Sequence, residues 1–219
     1  MDSLQYVEVE TGNNIDATVI WLHGLGANGH DFEPIVPVLR LPDTLGIRFI
    51  FPHAPAIPVT INQGMVMPAW YDISSLELGR QVDETQLRAS AAQVAALADQ
   101  EITRGIAAER IIIAGFSQGG AVGFEMALSF SKPLAGLLAM STYFATASTI
   151  EPNPANRELP ILIQHGTMDP MVSIEFGQDS YRLLTEMGYP AEFVSYKGQH
   201  EVVAPQIKDV RDWFVERLT

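Results

Sequence analysis

Apolar residues in this chain fall into short continuous runs separated by longer stretches with helical spacing. Ala17–Leu22, Ile47–Phe51, Arg110–Ala114, Leu134–Met140 and Pro160–His165 are such runs. A short apolar run bounded by turn residues predicts a strand buried on both faces. Leu4–Glu10 alternates apolar with polar, as an edge strand does, and Ala191–Tyr196 is the last strand. The clearest helix is Asp83–Thr103, where Val82, Leu87, Ala91, Val94, Ala95, Leu97 and Ala98 fall near helical spacing and Gly105 supplies the stop. Further helices are predicted from Gly120 to about Ser131, from Ser173 to Glu186 with a stop at Gly188, and from Val202 to Arg217. Pro34 and Pro37 keep any helix over His30–Leu39 short. Strands alternating with helices predict an α/β fold: a mostly parallel sheet covered by helices on both faces, in one domain over residues 1–219.

Two segments do not fit that alternation. Gln63–Leu78 carries Met65, Val66, Met67, Trp70, Tyr71, Ile73 and Leu76 without helical or strand periodicity. So much apolar side chain in irregular sequence predicts a flap packed over a core, the wall of an apolar site, or both. Ser141–Leu159 is rich in Ser, Thr, Asn and Pro and reads as an excursion over the surface.

Composition narrows the chemistry. The chain is 47% hydrophobic and 18% charged, which suits a well-buried globular protein. A net charge of −13 argues against nucleic acid and anionic membranes as partners. With no cysteine there is no disulfide, thiolate nucleophile or Cys-ligated zinc. The N-terminal residues lack a basic, then apolar, signal sequence and no apolar run reaches membrane-spanning length, so a cytoplasmic location is expected.

The chemistry centres on Gly115-Phe116-Ser117-Gln118-Gly119. Gly-x-Ser-x-Gly between a strand and a helix is a nucleophile elbow, which strains the serine backbone and lifts its hydroxyl above the sheet. The flanking sequence supplies that setting: an Ile-rich strand before, a helix packed through small residues after. A Ser hydroxyl needs a base, and the base needs a group that fixes its tautomer and stabilises its cation. On such a sheet these follow in the order Ser, acid, His. His23, His30 and His53 precede Ser117, and His165 precedes any acid in the loop after its strand, which leaves His200. Between Ser117 and His200 lie Asp169, just past a strand end, and Asp179, inside a predicted helix; Asp169 is the better acid. Two backbone N–H groups should face the developing oxyanion. One belongs to Gln118, after the nucleophile, and the other to Leu25 in the His23–Gly29 loop. Gly24, Gly26 and Gly29 also have the spacing of a dinucleotide-binding loop, but no acidic residue follows at the distance such a site needs. His23, His53 and His165 are expected to brace loops. The histidines are too scattered for a metal site, and no cofactor is expected.

These residues sit in stretches that resemble the phospholipase/carboxylesterase family of α/β-hydrolases, which includes acyl-protein thioesterases and small bacterial carboxylesterases. The stretches are His23-Gly24-Leu25-Gly26, Phe51–Pro55, Met67–Ile73, Gly115–Gly120, His165–Pro170 and Gly198–Glu201, spanning nearly the whole chain. The resemblance implies an α/β-hydrolase fold with a short flap and no helical lid. It also implies Ser117, Asp169 and His200 as a triad, with Leu25 and Gln118 as oxyanion donors. Ala27-Asn28 stand where thioesterase members commonly have Asp followed by Thr or Ser, which points to a bacterial-type carboxylesterase acting on short- to medium-chain esters. An acyl-protein thioesterase or lysophospholipase is the alternative. A non-catalytic small-ligand receptor on the same fold would lack a triad member, and none is lacking. The acyl chain is expected in a trough formed by Leu25, Met65, Trp70, Tyr71, Ile73, Leu76, Phe116, Met171 and Val172. A small ester is the expected partner of a monomer or homodimer, without nucleic acid or stable membrane association.

Overall fold

The computed structural model describes residues 4–75 and 82–219. Nine strands and five α-helices are formed by these residues. The strands are β1 (Tyr6–Thr11), β2 (Ile15–Leu22), β3 (Gly46–Pro52), β4 (Ala56–Val59), β5 (Met65–Pro68), β6 (Ile111–Phe116), β7 (Gly136–Met140), β8 (Ile161–Gly166) and β9 (Ala191–Tyr196). The helices are α1 (Ile35–Leu39), α2 (Glu84–Thr103), α3 (Gln118–Ser129), α4 (Ile174–Glu186) and α5 (Ala204–Leu218). Seven strands form one sheet in the order β1-β3-β2-β6-β7-β8-β9. Only β1 runs antiparallel, pairing with β3 from Tyr6↔Pro52 to Thr11↔Ile47. β1 alternates partly buried and exposed residues, as its sequence does, while β6, β7 and β8 are buried almost throughout. The continuous apolar runs are therefore the strands covered on both faces.

Two cores flank the sheet. Buried residues of α2, α3 and α4, including Val94, Phe124 and Leu184, pack on one face. Those of α1 and α5, including Leu39, Val210 and Phe214, pack on the other around Trp21. The Trp21 ring lies 5.3 Å from that of Phe32 and 6.0 Å from that of Phe214. α2 begins where its sequence directs: the Asp83 carboxylate accepts the Gln86 N–H at 2.9 Å, a helix N-cap. α1 is a single short helix, in keeping with Pro34 and Pro37.

One expectation needs correction. Part of the irregular segment is a regular hairpin, β4–β5, paired from Val59↔Met65 to Ala56↔Pro68. Its period-2 signal is hidden because the first two β5 residues, Met65 and Val66, are both exposed, at 63% and 65%. The hairpin stands outside the main sheet, so neither of its faces is fully buried. Among the described residues the only helical turn in the 141–159 excursion is the three-residue Pro154–Asn156.

Candidate active site

The loops that matter leave the carboxyl ends of adjacent parallel strands, where open α/β sheets place their sites. β6 ends at Phe116 and α3 begins at Gln118, so Ser117 alone makes the turn. Its φ of 54° and ψ of −122° are strained for a residue with a side chain. Surrounding bonds hold it there. Its N–H donates to the Met140 carbonyl at 2.9 Å, and its carbonyl accepts the Thr142 hydroxyl at 2.6 Å and the Gly120 N–H at 3.0 Å. Gly119 is required by close approach: a Cβ there would lie 2.5 Å from the His23 carbonyl oxygen and 2.6 Å from that of Leu22. Residues 29–34 form turns, and the next helix starts only at Ile35, so the Gly24–Gly29 spacing opens no phosphate-binding helix.

Beyond β8, Asp169 has a fully buried side chain. One carboxylate oxygen, Oδ2, lies 2.7 Å from His200 Nδ1. The other, Oδ1, accepts the N–H groups of Met171 and Val172 at 2.9 and 2.8 Å. Burial pushes the Asp169 pKa up, but the His200 bond and the two backbone donors outweigh it and hold the acid below its usual range. The His200 ring packs against that of Phe116, with centroids 4.7 Å apart. Asp179 is exposed on α4, where it pairs with Arg182 at 3.5 Å. His165 braces the Asp169 turn, its Nε2–H donating to the Val172 carbonyl at 2.8 Å. His23 takes the Ala54 N–H on Nε2 at 3.1 Å and donates from Nδ1 to its neighbour's carbonyl at 2.7 Å. His53 Nδ1 accepts the Gly29 N–H at 3.0 Å. Burial is the main cause that lowers the pKa of both His23 and His165, so each is held neutral.

Comparison with known proteins bears on what this geometry is for. The model of the phospholipase/carboxylesterase family matches residues 5–217. The chain belongs to that family. Acyl-protein thioesterase 1 of Neurospora crassa is 41% identical over 213 residues, covering 92% of this chain and 87% of that protein. Among solved structures, Arabidopsis thaliana SOBER1 superposes with a TM-score of 0.86 at 33% identity, over 93% of this chain and 99% of that one. Zea mays acyl-protein thioesterase 2 gives 0.88 at 29% identity, over 98% and 99%. Members of this phospholipase/carboxylesterase family are serine hydrolases, and the protein is a carboxylic ester hydrolase of that kind.

In this family member Ser117 and His200 open on one cavity of about 400 Å³. Of the residues placed in the trough by the sequence, Leu25, Ile73, Phe116, Met171 and Val172 line it, and Gln118 does too. Three of the expected trough residues do not. Trp70 and Tyr71 are 1% and 0% exposed and belong to the core beneath the site. The Trp70 indole N–H donates to the His23 carbonyl at 2.9 Å, and the Tyr71 hydroxyl bonds that of Tyr143 at 2.8 Å. Such polar tips seek partners on burial, so both side chains turn inward. Met65 projects from the hairpin clear of the cavity lining. Leu76 lies outside the described residues. The sequence reading missed Ile61, Met67 and Tyr143, which line the cavity in their place. Met67 stands within β5 and Trp70 two residues past its end, and no local spacing separates the lining residue from the buried one. Tyr143 carries no local signal. It reaches the site because β7 lies beside β6. Among the described residues no three His, Asp or Glu side chains are grouped as metal ligands are.

Proposed function

We propose that Ser117, His200 and Asp169 act as a catalytic triad hydrolysing carboxylic esters with short to medium acyl chains. The observation that carries this reading is the Asp169–His200 bond of 2.7 Å, formed beside the cavity that also holds the strained Ser117. His200 Nε2 takes the Ser117 proton as Oγ bonds to the acyl carbon, and the Leu25 and Gln118 N–H groups hold the oxyanion. The carbonyl re-forms as the bond to the leaving group breaks, and His200 protonates that group. Water, deprotonated by His200, then attacks the acyl-serine and releases the acid. The acyl chain lies along Ile61, Met67, Ile73, Tyr143 and Val172, where each buried methylene contributes about 0.8 kcal/mol, or roughly fourfold in binding.

A second reading, a thioester linked to protein, is favoured by the names of the fungal and maize relatives. The same machinery serves it, a thiolate leaving in place of an alkoxide. The test compares kcat/KM for oxygen esters and thioesters of matched acyl chains, from short to long, alongside an acylated peptide. Rates should rise with chain length to a plateau, without a jump when substrate forms an emulsion. A thioester advantage on the peptide selects the second reading. Ser117→Ala should lose about 10⁴–10⁶-fold in kcat. A Ser117→Ala protein that keeps a tenth of wild-type turnover ends both readings.

A further inference from the structure

The two oxyanion donors come from loops far apart in sequence, and hydrogen bonds tie both loops to one short segment, residues 68–71. On the Leu25 side, the Trp70 indole N–H donates to the His23 carbonyl at 2.9 Å, and the Gly26 N–H donates to the Pro68 carbonyl at 2.8 Å. These two bonds bracket Leu25 by two residues on one side and one on the other. On the elbow side, the Gln118 side chain is held at both ends. Its Oε1 accepts the Trp70 N–H at 2.8 Å and its Nε2 donates to the Tyr71 carbonyl at 2.7 Å. The segment is itself anchored from α2, where the Ser90 hydroxyl donates to the Trp70 carbonyl at 2.5 Å. Gln118, Trp70 and Tyr71 are all at most 2% exposed. Hydrogen bonds this deeply buried have no water to replace them, so losing one leaves an unsatisfied group and shifts the backbone it held.

We infer that residues 68–71 are a strut that fixes the separation of the Leu25 and Gln118 N–H groups, with the Gln118 amide and the Trp70 indole as positioning residues. The strut makes no contact with the reacting atoms; it sets where the oxyanion donors point. The same glutamine thereby acts twice, through its backbone N–H on the oxyanion and through its side chain on the strut. Donors must sit within a few tenths of an ångström of the developing charge, so a small relaxation of either loop weakens transition-state binding more than substrate binding. This inference rests on the assignment of Leu25 and Gln118 as oxyanion donors.

Trp70→Phe removes the bond to His23 and keeps the ring. Gln118→Ala removes both bonds to the strut, and Gln118→Glu keeps the volume but sets a carboxylate oxygen against the Tyr71 carbonyl. Expected losses in kcat are about 10-fold for Trp70→Phe and about 30-fold for either Gln118 variant, below the roughly 10²–10³-fold cost of deleting a donor, with KM changed by less than about threefold. The decisive readout is a trifluoromethyl ketone, to which Ser117 Oγ adds as its proton passes to His200, leaving an oxyanion in the hole. Its inhibition constant should rise in proportion to the loss in kcat/KM, while binding of the product alcohol stays constant. The double variant Trp70→Phe/Gln118→Ala should lose less than the product of the single effects, because both act on one strut. Should Gln118→Ala not fold, Gln118→Glu and Trp70→Phe carry the test. A rise in KM at unchanged kcat, or a ketone constant that does not follow kcat/KM, overturns the strut. If instead Ser117→Ala retains activity, the triad reading itself has failed, which is a separate result.

Discussion

Asp169→Asn separates the orienting role of this acid from its contribution to packing. The carboxylate uses both oxygens: Oδ1 takes the Met171 and Val172 N–H groups, and Oδ2 faces His200 Nδ1 at 2.7 Å. An asparagine must choose. Turning its amide N–H₂ towards the two backbone donors creates two donor–donor contacts, whereas facing it to His200 creates one at most. Its carbonyl oxygen therefore stays on the Asp169 turn, and its N–H₂ meets Nδ1. The imidazole relieves that contact by moving its proton to Nε2, the nitrogen that has to accept from Ser117. The base is then lost while the shape is kept. For a triad the wrong tautomer costs about 10⁴ in kcat, about 5.5 kcal/mol of barrier. KM on a soluble aryl ester should change little, because Asp169 is not among the residues lining the cavity. Stability should fall by about 1–3 kcal/mol, the worth of a charge-assisted buried bond. Steady-state kinetics and urea unfolding on the same preparation give both numbers. Asp169→Asn with a tenth of wild-type kcat, or Asp179→Asn with a comparable loss, would refute the reasoning.

Acid should destabilise the protein from a higher pH than its carboxylates alone dictate. Burial lowers the pKa of His23 and His165 in the folded chain, so below the unfolded value of about 6.5 the unfolded chain binds more protons and stability drops as pH falls. Urea unfolding at a series of pH values checks this, and a flat stability between about pH 7 and 5 contradicts it. Asp169 adds a second loss at lower pH, since its depressed folded pKa gives stability that is present above the unfolded value of about 3.9 and vanishes as pH falls through the folded one. Gly119→Ala should cost both stability and turnover, because its Cβ meets the backbone oxygens of Leu22 and His23, which cannot rotate away as a side chain can. A folded Gly119→Ala variant with full activity would show that the His23 loop moves freely.

Local patterns were enough for the frame of this protein. The Ile111–Ile113 run has no polar face, so it can only lie inside a sheet covered on both sides, and it does, between β2 and β7. Asp83 and Gly105 mark the ends of α2 through bonds and backbone angles that involve only near neighbours. The candidate Ser, Asp and His were legible for the same kind of reason. Each stands where a strand stops, and a parallel sheet brings successive strand ends to one edge whatever lies between them. The walls of the site were not legible, because a side chain's facing there depends on partners distant in the chain. Nothing near Trp70 or Tyr71 distinguishes an apolar wall from a core. Their inward turn is decided by the His23 carbonyl and the Tyr143 hydroxyl, 47 and 72 residues away. The two bonds of the Gln118 side chain likewise exist only once the elbow and the segment at 70–71 have met. Burial on a strand or helix is written in the spacing of neighbours. The lining of a cavity is written in which loops converge, and that convergence belongs to the folded sheet alone.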